Sequence, residues 1–223
     1  MVNALLIIKV LLKMIKNKVI LVLAPHTDDG ELGCGGTISK LLKINTVVHY
    51  AAFSACEQSV VEGFPRNILS QEVKAATGSL GISPSNLHLF DFEVRNFNFR
   101  RQEILETLII LKNKVKPDLI IMPSINDTHQ DHKVVAEEAL RAFKNNNIIS
   151  YELPWNNFDF TNTMFILLEE GDVANKINSL NQYKSQCHRS YFSEDYLRSL
   201  ALTRGVQVNS QFAEVFEVVR LVC

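Results

Sequence analysis

From residue 18 to about residue 150, short apolar runs alternate with stretches whose apolar positions recur at helical spacing. Residues 19–23, 46–53, 87–90 and 119–122 predict strands, and three of these runs are almost uninterruptedly apolar, as in strands buried on both faces. Residues 37–42, 70–80, 104–114 and 133–144 predict helices. In the third, Ile104, Leu108 and Leu111 line one face at i, i+4, i+7, and Ala136, Leu140 and Phe143 do the same in the fourth. Further on the pattern loosens. It gives a fifth strand before Tyr151, a strand at 164–168, a helix near 173–183 and a last strand at 215–221. Alternation of this kind predicts an α/β fold: a doubly wound, Rossmann-like, mainly parallel sheet with helices on both faces, as one domain over residues 18–223.

The N-terminal segment stands apart. Residues 4–15 are nearly all apolar, with Lys9, Lys13 and Lys16 at helical spacing, so residues 1–17 predict an amphipathic helix. It is shorter than the roughly 18–20 apolar residues that a membrane span needs. It also lacks the charged start and small-residue cleavage site of a signal peptide. Two uses fit it: packing on the domain or on another copy in a homo-oligomer, or contact of residues 4–16 with an anionic membrane surface.

Composition narrows the classes. Hydrophobic residues at 47% and charged residues at 21% are ordinary globular values. A net charge of −1 gives no basic face for nucleic acid. Cys34, Cys56, Cys187 and Cys223 are widely spaced, matching neither a disulfide framework nor a cysteine zinc site. A cytoplasmic location is expected, with membrane attachment at most peripheral.

In a doubly wound sheet the ligand sits outside the carboxyl ends of the strands, where the strand order reverses; for the order 3-2-1-4-5 this is between the first and fourth strands. The loop after the first strand holds His26, Asp28 and Asp29, and the loop after the fourth holds Asp127, His129, Asp131 and His132. These are the chain's two richest His/Asp clusters. A catalytic zinc takes three ligands of this kind and leaves a position for water. His26 and Asp29, three apart on a turn, can converge, and His132 supplies the third ligand for Zn²⁺ or another divalent metal. Asp28 cannot usefully chelate the same ion beside Asp29, and serves better as base toward the attacking water. His129 is placed to stabilise an oxyanion and protonate a departing nitrogen, with Asp131 keeping its ring charged. Taken singly, these residues have plainer roles, Asp131 as a helix N-cap for example. Their gathering on two adjoining loops favours the metal.

Other candidates are weaker. His49, His88 and His188 read as structural or solvated. The run Gly33-Cys34-Gly35-Gly36 lacks the third glycine of a dinucleotide fingerprint, since Ile38 stands there, and no P-loop lysine follows. These glycines instead let the following helix pack close to the metal loop.

From Val19 to Arg220 the chain resembles the LmbE-like family of zinc-dependent de-N-acetylases, which includes the N-acetylglucosaminyl-phosphatidylinositol (PIG-L) enzymes. The resemblance rests on His26-Thr27-Asp28-Asp29, Asp127-Thr128-His129-Gln130-Asp131-His132, Lys116-Pro117-Asp118, Arg204-Gly205 and Ala213-Glu214-x-Phe216. It implies metal ligands at His26, Asp29 and His132, a base at Asp28 and a charged pair at His129 and Asp131. Three positions depart from the family. Thr27 replaces proline, and Gly30 stands where glutamate is usual, with Glu31 one place late. Leu69 occupies the place of an arginine associated with gripping substrate, which makes Arg66, one helical turn earlier, the candidate substitute. Trp155, after the fifth strand, is a candidate to stack on a sugar. The expected activity is removal of an acetyl group from a small N-acetylated amino sugar or its conjugate. The alternatives are an amidase on a non-sugar N-acyl metabolite and a metal-binding pseudoenzyme.

Overall fold

The computed structural model describes residues 18–222. The N-terminal helix expected at 1–17 lies outside the described residues. In chain order the strands are β1 (Val19–Ala24), β2 (Val47–Ala52), β3 (Leu87–Leu89), β4 (Leu119–Pro123), β5 (Asn147–Tyr151), β6 (Met164–Leu168) and β7 (Phe212–Arg220). The helices are α1 (Asp29–Leu42), α2 (Ile68–Leu80), α3 (Arg101–Val115), α4 (Gln130–Ala142), α5 (Glu170–Leu180) and α6 (Glu194–Val206).

The seven strands form one sheet in the order β3-β2-β1-β4-β5-β7-β6. The first five run parallel, and β7 lies antiparallel between β5 and β6. The expected 3-2-1-4-5 core is therefore present, with an antiparallel edge added.

Side chains alternate along β1. Ile20, Val22 and Ala24 pack among α1, α2 and α5, whereas Leu21 and Leu23 pack among α3 and α4. All five are fully buried, which explains why a strand in this position reads as a continuous apolar run rather than an alternating one.

Helix α1 begins at Asp29, eight residues before the predicted start. Its glycine run lowers helix propensity, and tertiary contacts override that. Gly33 packs against Tyr151: a Cβ there would lie 2.3 Å from the ring. At Cys34 the helix breaks (φ −145°, ψ 24°). The break leaves two sets of orphan backbone groups, and a buried ion pair takes both. Glu214 accepts the N–H groups of Gly36 and Thr37 at 3.1 and 2.7 Å. Lys176 donates to the Leu32 carbonyl at 2.7 Å and pairs with Glu214 at 2.7 Å.

The sequence pattern does not predict helix α6. Its buried residues Leu197, Ala201 and Gly205 form only a narrow stripe, too thin to register as a pattern. No helix among the described residues is long and apolar enough to cross a membrane.

Candidate metal centre and pocket

Strands β1 and β4 are neighbours, yet the chain leaves them toward opposite sides of the sheet, so their carboxyl-end loops meet at the reversal point. His26 Nδ1, Asp29 Oδ2 and His132 Nε2 converge there. The separations are 3.3 Å from His26 to Asp29, 3.2 Å from His132 to Asp29, and 3.2 Å between the two rings. Ligand atoms about 2.0–2.1 Å from a tetrahedral zinc stand roughly 3.3 Å from one another. The triangle therefore fits a metal of that size. His129 joins the cluster: one ligand atom each of His26, His129 and His132 lies within 4.8 Å of the others.

The far sides of both rings are held by carboxylates. His132 Nδ1 lies 2.8 Å from Asp127 Oδ2, and His26 Nε2 lies 3.1 Å from Asp131 Oδ2. A ring N–H given to a carboxylate leaves the opposite nitrogen as a lone pair facing the centre, the usual arrangement around a ligating histidine. Without a cation the site holds a proton in its place. Burial alone would lower His132, but Asp29 and Asp127 push it up to about 10. A metal would have to displace that proton to reach the ring nitrogen. Burial would raise Asp29, but His132 and His26 hold it well below the carboxylate range.

Asp28 is different. Burial, and then the charge of Asp29, push it up to about 6, and it lines the cavity beside the cluster. A carboxyl in that range can take a proton and give it back near neutral pH.

The Asp131–His129 pair is not formed. Asp131 instead accepts the backbone N–H groups of Arg95 and Phe97, at 2.6 and 3.4 Å, beside its contact with His26. His129 is the N-cap of α4, and its Nδ1 accepts the N–H of Asp131 at 3.2 Å. Burial, with His132 and His26 nearby, lowers His129 to about 4, so its ring is neutral at pH 7 with its proton on Nε2. Asp131 is thus a support for His26, and the cap role belongs to His129.

The cavity over the cluster measures about 310 Å³. Trp155 lines it, as expected, but one face of the indole is taken by Tyr191, stacked at 4.1 Å and 11°. Arg66 is exposed and outside the lining; the arginines in the wall are Arg95 and Arg189, together with Leu69. Neither arginine had a periodic or motif signal, since both lie in loops. Asp127 was legible only as part of a motif.

Glu31 also gains a role. The Tyr50 and Tyr183 hydroxyls contact its carboxylate, Tyr183 at 3.0 Å, and both reach the Thr27 carbonyl, at 2.9 and 2.8 Å. This buried group fixes the metal loop from behind. Gly30 makes it possible: a Cβ there would lie 2.4 Å from the Tyr50 ring. Gly30, Glu31 and Tyr50 thus form one packing unit behind the loop.

Comparison with known proteins gives the family and the fold. Residues 21–143 match the family described as PIG-L, GlcNAc-PI de-N-acetylase. A diacetylchitobiose deacetylase of Thermococcus kodakarensis is 24% identical over 88% of this chain and 81% of its own length. An uncharacterized deacetylase of Escherichia coli, YaiS, is 26% identical over 76% of this chain and 92% of its own. The fold matches the N,N'-diacetylchitobiose deacetylase of Pyrococcus horikoshii with a TM-score of 0.76 at 18% identity, covering 96% and 90% of the two chains. With more than half of its length matched by the family and with the His/Asp cluster assembled at the reversal point, the chain belongs to the PIG-L family of GlcNAc-PI de-N-acetylases.

Proposed function

We propose that the protein hydrolyses the acetamide of an N-acetylated amino sugar or sugar conjugate, using one divalent metal, Zn²⁺, on His26, Asp29 and His132. The observation that carries the reading is the 3.2–3.3 Å triangle of donor atoms with a raised carboxyl beside it in a cavity. The relatives named as deacetylases support it.

Bound at that triangle, the metal supplies polarisation of the amide carbonyl and acidification of the attacking water. Asp28 takes the proton that the water gives up as its oxygen bonds to the carbonyl carbon. Neutral His129 donates its Nε2–H to the oxygen that gathers negative charge. Asp28 then hands its proton to the departing nitrogen as the C–N bond breaks, releasing the amine and acetic acid, which loses its remaining proton to water as acetate. This division assigns the return of the proton to Asp28, because His129 is neutral at pH 7. Asp127 and Asp131 orient the two ligand rings, and Trp155 walls the sugar's side. The scattered cysteines, of which Cys34, Cys56 and Cys187 are free thiols, suit a reducing cytoplasm.

The test is acetate and amine release from a panel of N-acetyl sugars by zinc-loaded protein, with Asp28→Asn as control. Release by the wild type and its loss in the variant are expected. Equal release by both would overturn the mechanism.

A further inference from the structure

In the wall of the cavity over the His/Asp cluster stands a guanidinium held in place by a chain of hydrogen bonds. The chain starts at Glu72, a buried carboxylate on α2. Glu72 accepts the backbone N–H and the hydroxyl of Ser185, at 2.9 and 2.6 Å. Gln186 donates to Ser185 Oγ at 3.1 Å, and Arg189 Nε donates to Gln186 Oε1 at 2.7 Å. One terminal nitrogen of Arg189 then donates to Tyr191 Oη at 2.7 Å, and the guanidinium lies 5.8 Å from that ring's centroid. Tyr191 is itself stacked on Trp155. Half-buried, Arg189 has its rotamer fixed at both ends before any ligand arrives.

The two direct partners of Arg189, Gln186 and Tyr191, are neutral. Among the described residues Arg189 has no carboxylate within ion-pair distance, and Arg95, the other arginine of the lining, has none either. Of the lining carboxylates, Asp29 faces two histidines, and Asp28 feels the charge of Arg189 across the cavity without forming an ion pair with it. Two N–H groups on one terminal nitrogen of Arg189, and one on the other, have no partner among the described residues. That is a planar fork of charged donors in a confined wall, the form that carboxylates and phosphates fill with paired hydrogen bonds. A neutral hydroxyl would satisfy one donor, whereas an anion fills paired donors with charge-assisted bonds.

We propose that Arg189 grips an anionic group, a phosphate or a carboxylate, carried by the N-acetyl sugar conjugate whose acetamide reaches the metal cluster. This rests on the deacetylase reading and narrows its substrate to anionic conjugates. Arg189 is then the specificity-determining cation, supplied from the loop before α6 at the wall where Leu69 of α2 leaves an apolar surface. Glu72, one helical turn along α2 from Leu69, is a positioning residue for that loop.

The experiment uses zinc-loaded protein, titrated calorimetrically with N-acetylglucosamine, N-acetylglucosamine 1-phosphate and N-acetylmuramic acid, with acetate release followed in parallel. The wild type should bind at least one anionic sugar tenfold or more tighter than the neutral one, and the preferred arm identifies phosphate or carboxylate. Arg189→Gln should cut that ratio at least tenfold, and Arg189→Lys should retain part of it. Equal affinity for all three sugars in the wild type, or a ratio unchanged in Arg189→Gln, would overturn the proposal. If Arg189→Gln does not fold, the wild-type ratio and Arg189→Lys decide it. Anion preference without acetate release from any sugar would sink the hydrolase reading while leaving the anion grip in place.

Discussion

Asp127 Oδ2 lies 2.8 Å from His132 Nδ1, on the side of the ring away from the metal cluster. The same side chain accepts the His129 backbone N–H at 2.8 Å through its other oxygen, so one carboxylate fixes two histidines. Removing such a support typically costs about 10–100-fold in metal affinity. Asp127→Asn should therefore weaken zinc binding by about that factor, measured by competition with a chromophoric chelator. Unchanged affinity would show that His132 is oriented without it.

Asp28 and Asp29 are neighbours with opposite electrostatics, one raised to about 6 and the other held low. Asp28→Asn should keep its zinc and lose about 10²–10⁴-fold in kcat with little change in KM, since only proton transfer is removed. Asp29→Ala should lose metal affinity, and excess zinc should restore part of its activity. Metal analysis of the two variants separates the roles, and the opposite pattern would exchange them.

Most of this arrangement was legible in the sequence, for identifiable reasons. The strands of the parallel core are buried on both faces, so β1 and β4 announce themselves as apolar runs and set the reversal point. With that point fixed, His26, Asp28, Asp29, His129 and His132 fall on adjoining loops. Side-chain direction was not legible. Nothing in a linear spacing distinguishes an Asp131 aimed at His129 from one aimed at His26, because the choice depends on how α4 enters from its cap. Nor was the long-range support of α1. The partners of its broken turn, Lys176 and Glu214, stand more than a hundred residues along the chain. Arg189 lies in a loop without periodicity, so only the fold could bring it to the cavity instead of Arg66.

The Lys176–Glu214 pair gives a stability prediction. Both side chains are less than one-tenth exposed and each satisfies backbone groups at the break in α1. Taking away one partner strands the other charge in the interior, which typically costs about 3–5 kcal/mol. Lys176→Met should lower the urea midpoint correspondingly, and Lys176→Met with Glu214→Gln should recover part of the loss. A single variant as stable as the wild type would mean that water replaces the ammonium.

Asp28 gives a prediction in which catalysis and stability have opposite signs. As the proton acceptor it must be ionised, so kcat/KM should fall on the acidic side as Asp28 takes up its proton, with an apparent value that belongs to the coupled site. In the metal-free protein the raised value of Asp28 is a cost. The folded chain binds the proton more tightly than the unfolded one, whose carboxyl keeps its usual value near 3.8. Stability is therefore unaffected by this group below about pH 4. It declines as pH rises from there through 6, and the full cost is present above. Asp28→Asn removes the ionisation. At pH 7 the metal-free variant should be more stable than the metal-free wild type by about 1–3 kcal/mol, and the advantage should vanish near pH 4. Urea titrations at both pH values measure it. A variant less stable at pH 7, or equally stabilised at both, would show that Asp28 is not strained by burial and that its role as base needs another origin.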